Sequence, residues 1–213
     1  MSLAHRKDRE WRVGCSIWYG TVRPKSWGTE VDEGALTELG KQQSKLIGER
    51  LREVPFNAIH HSTLRRAVQT TELIAEYLHD VPIYPSDLLR DCIPSVPDRD
   101  LLSPAHAEFL DGLSQTALTE GPVQAAQAIE RYAVATGEDQ RTLIVTHNFL
   151  IGWFVRHALD APSWRWMGLN QYNCALTIIL YRPGRPSSLV SYNDMGHLSP
   201  SLRGLEHPPE LRV

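Results

Sequence analysis

The sequence predicts an α/β fold, a three-layer α/β/α sandwich with a mostly parallel central sheet. Short β-prone runs alternate with amphipathic helical patterns, an order that is typical of parallel strands between two layers of helices. The run 142–146 (TLIVT) is β-prone throughout, as expected for a strand covered on both faces. With 213 residues, 42% of them hydrophobic, the chain can bury a substantial core.

In the first half of the chain, Pro and Gly clusters separate the periodic segments. We expect a strand over 15–22 and a loop over the Pro-, Gly- and acid-rich residues 23–34. Thr37 is a suitable N-cap for a helix over 37–53, whose apolar residues share one face. A strand over 56–61 then leads to Ser62 or Thr63 as the N-cap of a helix to about 78. A short strand over 82–84 precedes a proline-containing loop over 91–104.

The second half continues the alternation. Helices are expected over 105–113 and over the Ala-rich segment 123–135, followed by the strand 142–146 and an apolar helix over 149–159. Two final strands over 174–181 and 188–192 are joined by a turn of the sequence RPGRP.

Composition excludes several classes of protein. A net charge of −3 and a pI near 6.3 give no electrostatic reason to expect nucleic acid or an anionic membrane as a partner. No run approaches the roughly 20 apolar residues of a membrane span, and no signal peptide is recognisable, so we expect a cytoplasmic location. Three distant cysteines indicate neither a disulfide framework nor a zinc site.

Two predicted strands end in polar clusters that lead into helices, at 61–67 and at 146–148. Carboxyl ends of parallel strands and helix N-termini are where α/β sheets bind ligands. Arg66 can present a planar fork to a phosphate, and His147 can donate to an anion or transfer a proton. The alternatives are a solvated surface arginine and a hydrogen-bonded structural histidine.

The motifs around these residues resemble those of the histidine phosphatase superfamily, which includes the cofactor-dependent phosphoglycerate mutases. The similar segments are LTELGKQQ at 36–43, FNAIHHSTLRRAVQT at 56–70 and LIVTHN at 143–148. LLRD at 88–91 and NDMGH at 193–197 are similar to the branch containing the mitochondrial phosphoglycerate-mutase-like protein phosphatase. The resemblance extends over about 28–203, so we divide the single domain into an atypical segment, 1–27, and a histidine-phosphatase-like part, 28–213.

The resemblance implies a two-step phosphoryl transfer that needs no metal and no cofactor. A first histidine attacks phosphorus, a carboxylic acid protonates the leaving oxygen, and water hydrolyses the phosphohistidine. By position, Arg66 and His147 are the phosphate-binding arginine and the second histidine, and Asp91 is the acid. Asp91 replaces the usual glutamate and is one methylene shorter; alternatively it is a loop residue that bonds local backbone. Asn148 stands where the family often has glycine, with its backbone N–H available to the phosphate.

The sequence lacks the Arg-His-Gly motif that carries the nucleophile in this family. The best-matching positions are Ser26, Trp27 and Gly28, and an indole has no lone pair with which to attack phosphorus. An alternative alignment of the motif with residues 20–22 matches the family no better. Three explanations stay open: a degenerate member that has kept its pocket, an incorrect reading frame before about residue 27, or a substitute nucleophile.

The expected function is a phosphatase-like hydrolase of phosphate monoesters, impaired by loss of the nucleophile. The alternative is a catalytically inactive protein that binds a phosphate group or a partner. The expected ligand is a small-molecule phosphate ester or a phosphoprotein, with no nucleic acid and no membrane, and oligomerisation is left open. Of the remaining candidates, His60 and His61 should point to opposite faces of a strand, and His197 is expected at the pocket mouth. Trp153, Trp164 and Trp166 form either core or an aromatic or oligomeric surface.

Overall fold

A computed structural model of the protein describes residues 10–16, 34–135 and 139–203. In these ranges six strands form one sheet in the order β3-β2-β4-β1-β5-β6. The strands are β1 (Glu10–Ser16), β2 (Ala58–Ser62), β3 (Ile83–Ser86), β4 (Arg141–Thr146), β5 (Leu176–Arg182) and β6 (Arg185–Asp194). The first four run parallel, and β5 is antiparallel to both β1 and β6. The prediction of a mostly parallel sheet is confirmed.

Within the same ranges, five α-helices connect and cover these strands. They are α1 (Glu38–Leu51), α2 (Arg65–Ala75), α3 (Pro104–Asp111), α4 (Gln115–Tyr132) and α5 (Asn148–Ala158). Thr37 caps α1 as predicted, since its hydroxyl oxygen accepts the N–H of Gly40 at 3.1 Å. The predicted cap of α2 is wrong: Leu64 holds the N-cap position without a side-chain cap bond. The hydroxyl of Ser62 accepts the N–H of Leu64 at 3.2 Å instead.

The sheet has a hydrophobic core on each face, which completes the three-layer arrangement. Along β4, Leu143 and Val145 belong to the core that α1 and α2 cover, whereas Ile144 between them belongs to the core under α4 and α5. This alternation follows from the two-residue period of a strand. Both faces of β4 are therefore buried from solvent, which explains its continuous β-prone sequence.

The first strand lies earlier in the chain than its sequence pattern indicates. The expected strand over 15–22 shares only two residues with β1, which is Glu10–Ser16. β1 pairs with β4 and β5 in the middle of the sheet, and Ser16 is opposite Thr146. Backbone hydrogen bonds to strands on both sides place this segment in the middle of the sheet, although its charged residues do not predict a central strand. The boundary at residue 27 stays a prediction, although β1 belongs to the same sheet as the later strands.

Helix α4 is longer than expected, because it begins at Gln115 and continues through Pro122. A Gly-Pro pair usually ends a helix, so the sequence favoured a start at 123. In the structure, a Cβ added at Gly121 would lie 2.5 Å from the carbonyl oxygen of Ile93. Close packing of the helix on the loop backbone at Ile93 accounts for the glycine.

The tryptophans mainly serve the core. Trp153 and Trp166 are buried in the cluster beneath α4 and α5, and Phe149 contacts Trp166 edge-to-face with ring centroids 5.1 Å apart. Trp164 is half-buried, with the guanidinium of Arg165 over its ring. The interpretation as core is confirmed for Trp153 and Trp166.

Candidate active site

His147 follows β4 directly and occupies the N-cap position of α5. Its side chain is completely buried, and both ring nitrogens are engaged. Nδ1 lies 3.2 Å from Nε of Arg66, and Nε2 lies 2.7 Å from the hydroxyl oxygen of Ser62. Burial first, and then the nearby cations Arg66 and Arg90, hold the pKa of His147 well below its ordinary value. The imidazole is therefore neutral at physiological pH.

Arg66 lies in the first turn of α2 and is only 6% exposed, so it is not a solvated surface arginine. Its Nη2 lies 3.6 Å from a carboxylate oxygen of Asp91. Asp91 thus reaches the arginine despite its short side chain, and a third of that side chain remains exposed. The structure brings Arg66, Asp91 and His147 together. Their roles as phosphate-binding residues and as the acid stay predictions.

The segment that carries Asp91 is fixed to the sheet by hydrogen bonds from neighbouring elements. Thr146 donates its hydroxyl to the carbonyl of Leu89 at 2.7 Å. The side-chain amide of Gln124 donates to the carbonyl of Arg90 at 2.8 Å. One strand end and one helix therefore hold residues 89–90, and through them they place Asp91 beside Arg66.

Asn148 makes its contacts through the side chain. Its Oδ1 accepts the N–H of Gln171 at 2.8 Å, and its Nδ2 donates to the side chain of Asn170 at 3.1 Å. The residue is 4% exposed. The amide therefore joins the loop at 170–171 to the N-terminus of α5. The predicted contact of its backbone N–H with phosphate stays a prediction.

Three other histidines in the described ranges contact different partners. His61 is buried and donates from Nδ1 to the carbonyl of Ser62 at 2.8 Å. His60 stacks on Tyr84 and meets Tyr132 edge-to-face. His197 contacts Arg50, with Nδ1 3.1 Å from Nη1.

Two groups that sequence reasoning missed belong to the site. The sequence predicts Ser62 only as a helix cap, yet its hydroxyl oxygen lies 2.7 Å from Nε2 of His147. Arg90 acts on His147 through its charge, and its guanidinium lies 3.9 Å from the carboxylate of Asp87. The position of Arg90, directly before Asp91, was the available signal.

Ser26, Trp27 and Gly28 lie outside the described residues. In the sequence, His5 is the only histidine before His60. The residue that follows the last residue of β1 in the chain is Ile17. Within the part of the chain that the structure describes, no three His, Cys, Asp or Glu residues come together in a way that could hold a metal ion.

The chain belongs to the histidine phosphatase superfamily. Residues 25–95 and 94–195 match the family described as "Histidine phosphatase superfamily (branch 1)". The chain is similar to the proteins named "Serine/threonine-protein phosphatase Pgam5, mitochondrial" of Caenorhabditis briggsae and PGAM5 of Homo sapiens. It is 31% identical to the first over 84% of this chain and 64% of the relative, and 30% identical to the second over 81% and 60%. It therefore spans about three fifths of the length of these relatives.

Solved structures share the fold at lower identity. A structure titled "Bacillus stearothermophilus YhfR" superposes with a TM-score of 0.66 at 22% identity, over 89% of this chain and all of the other. A phosphoglycerate mutase of Plasmodium falciparum gives a TM-score of 0.56 at 18% identity, over 96% and 97% of the two chains. These likenesses confirm the phosphoglycerate-mutase-like fold.

The expected cytoplasmic location is wrong, because the curated relatives are named as mitochondrial proteins. The expectation rested on the lack of a recognisable span or leader in the sequence, which carries no positive information about a compartment. Among the helices of the described residues, none combines the length and the apolar character that crossing a membrane requires.

Proposed function

We propose that the protein binds the phosphoryl group of a phosphorylated serine or threonine side chain at Arg66 and His147, and hydrolyses it slowly. The observation that carries the proposal is the guanidinium of Arg66, nearly buried between a neutral imidazole and a partly exposed carboxylate. A phosphoryl dianion suits a buried guanidinium, which offers parallel donors. The names of the relatives support a phosphoprotein substrate and a mitochondrial location.

In the proposed reaction, Arg66 holds the phosphoryl oxygens while water attacks phosphorus in place of the missing histidine and becomes an oxygen of inorganic phosphate. Asp91, in its protonated form, gives its proton to the leaving serine or threonine oxygen as the bond of that oxygen to phosphorus breaks, and it then takes a proton from the attacking water. Both roles favour the transition state, in which charge builds on the phosphoryl group and the leaving oxygen. Turnover is slow because the sequence has no histidine between residues 6 and 59, where the family's nucleophile belongs.

Binding is tested with vanadate, which resembles a phosphoryl group. We expect vanadate to raise the Tm of the protein, since a ligand that binds only the folded state stabilises it. Arg66→Gln should abolish this increase. The matched control is Arg65→Gln, which removes the adjacent but exposed arginine of the same helical turn and should preserve the increase. Loss of protection in both variants, or in neither, contradicts the assignment of Arg66.

Hydrolysis is tested with a phosphoserine peptide and by restoring the nucleophile. In this family the nucleophile follows the first strand, and β1 ends at Ser16, opposite the residue before His147. We therefore compare the double variants Ser16→Arg/Ile17→His and Ser26→Arg/Trp27→His. A rise in turnover with an acid-labile phosphohistidine in one of them supports a phosphatase that has lost its nucleophile.

The second candidate function is a pocket that binds phosphorylated ligands without turnover, which the missing histidine favours. If both double variants still bind vanadate and neither gains activity, this candidate replaces the first. If the unaltered protein hydrolyses the peptide rapidly, a substitute nucleophile acts and the proposed impairment is wrong.

A further inference from the structure

The hydrogen bonds of His147 define which ring nitrogen carries its proton. An arginine side chain has donors only, so Nδ1 of His147 must accept from Nε of Arg66 at 3.2 Å. A neutral imidazole then has its single proton on Nε2. That N–H points to the hydroxyl oxygen of Ser62 at 2.7 Å, and Ser62 is completely buried.

This tautomer argues against Ser62 as a substitute nucleophile. A histidine that activates a serine must accept the hydroxyl proton with a free lone pair. Here Nε2 is a donor, and the lone pair of Nδ1 faces a guanidinium. The hydroxyl oxygen of Ser62 also accepts the backbone N–H of Leu64 at 3.2 Å. Two donors thus converge on an oxygen that has two lone pairs.

The same contacts form a chain in which Arg66 donates to His147 and His147 donates to Ser62. If the proton moved to Nδ1, it would face the Nε–H of Arg66, and two donors would oppose each other. The Nε–H of Arg66 would then lose the lone pair of Nδ1 as its acceptor, which favours a different orientation of the guanidinium beside Asp91. A hydroxyl that accepts from Nε2 therefore favours the tautomer in which Nδ1 accepts from Arg66.

We propose that Ser62 is a positioning residue, which holds His147 as the Nε2–H tautomer and thereby orients the guanidinium of Arg66 toward a phosphoryl group. The consequence for phosphate binding depends on the proposed function, whereas the tautomer itself does not. His147 then serves the pocket by holding Arg66 with Nδ1, in addition to any contact it makes with a ligand.

The test uses the whole protein labelled with ¹⁵N-histidine. Long-range ¹H–¹⁵N spectra distinguish a protonated from an unprotonated ring nitrogen, and the signals of His147 are assigned by their absence in His147→Gln. We expect a single Nε2–H tautomer in the unaltered protein. Ser62→Ala should give a mixture of tautomers and weaken vanadate binding about five- to tenfold, the effect of one neutral hydrogen bond. Ser62→Thr, which keeps the hydroxyl, should restore the single tautomer.

Thr71→Val is the matched control, because it removes another buried hydroxyl of the same region, one that donates to the carbonyl of Ala67 at 2.8 Å. It should lower the Tm without changing the tautomer or the affinity for vanadate. If Ser62→Ala also changes only the Tm, Ser62 is merely structural and the proposal is wrong. If the unaltered protein does not bind vanadate, the proposed function fails, while the spectra still decide the role of Ser62.

Discussion

The buried neutral imidazole of His147 predicts a specific loss of stability in mild acid. Its folded-state pKa is lowered by burial and by two arginines, whereas in the unfolded chain a histidine titrates near pKa ~6.5. Below pH ~6.5 the unfolded state binds a proton at this histidine, whereas the folded state does not. Acid therefore favours unfolding, and the contribution of His147 to stability is present above pH ~6.5 and is lost as the pH falls toward the folded-state pKa.

One proton bound only by the unfolded state gives the size of the effect. Between pH ~7.5 and ~5.5 the free energy of unfolding should fall by about 1.4 kcal/mol because of His147 alone. In His147→Gln this contribution disappears, since an amide does not titrate but can still accept from Arg66. The pKa values of His157 and His197 are also lowered, chiefly by burial, and their contributions persist in both proteins. The difference between the two proteins therefore isolates His147.

The assay is urea unfolding at a series of pH values, with the free energy taken from linear extrapolation. His79→Gln is the control, because it removes an exposed histidine. The free energy of unfolding of this control should depend on pH as it does in the unaltered protein. Between pH ~7.5 and ~5.5, the free energy of unfolding of His147→Gln should fall by about 1.4 kcal/mol less than that of the other two proteins. Equal pH dependence in all three proteins would refute a buried, neutral His147.

Three further substitutions test other parts of the site. Asp91→Asn should lower kcat on a phosphoserine peptide about 100-fold or more. On p-nitrophenyl phosphate the loss in kcat should be less than about tenfold, because nitrophenolate leaves without a proton. Equal losses on the two substrates contradict an acid role for Asp91. Asn148→Ala removes two side-chain hydrogen bonds to the loop at 170–171 and should cost about 2 kcal/mol in urea unfolding, and no loss would show that the loop holds without them. Gly121→Ala brings a Cβ to 2.5 Å from the backbone of Ile93 and should destabilise far more than Gly112→Ala, which meets nothing closer than 3.5 Å.

Strong local patterns predicted much of the fold. The cap at Thr37 could be identified because a hydroxyl before a periodic apolar segment can accept a free N–H of the first helical turn. The strand β4 could be identified because a continuous β-prone run is typical of a strand that is buried on both faces. The start of α4 could not, because the close approach of Gly121 to the backbone of Ile93 involves residues 28 positions apart. The sequence around β1 indicates a strand several residues too late, because the pairing partners that make β1 a central strand lie more than 120 residues away.

The site divides in the same way. Arg66 and His147 could be identified because strand ends and helix starts converge at one edge of a parallel sheet. The reach of Asp91 could not be read from its length, because it depends on the hydrogen bonds that hold residues 89–90 to β4 and α4. The contact of Ser62 with His147 could not be predicted for a similar reason. The two residues are 85 positions apart, and the local sequence around Ser62 indicates only a helix cap.

The electrostatics of the pocket connect its stability with its proposed ligand. Arg66 is nearly buried, its imidazole neighbour is neutral, and the carboxylate of Asp91 is partly in solvent. Burying a cation beside an incompletely buried anion costs desolvation energy that the pair only partly returns. A phosphoryl dianion supplies additional negative charge and acceptors at the same place, so binding should stabilise the folded state. Protection by vanadate that requires Arg66 is therefore the property that should survive in this pocket even where the nucleophile has been lost.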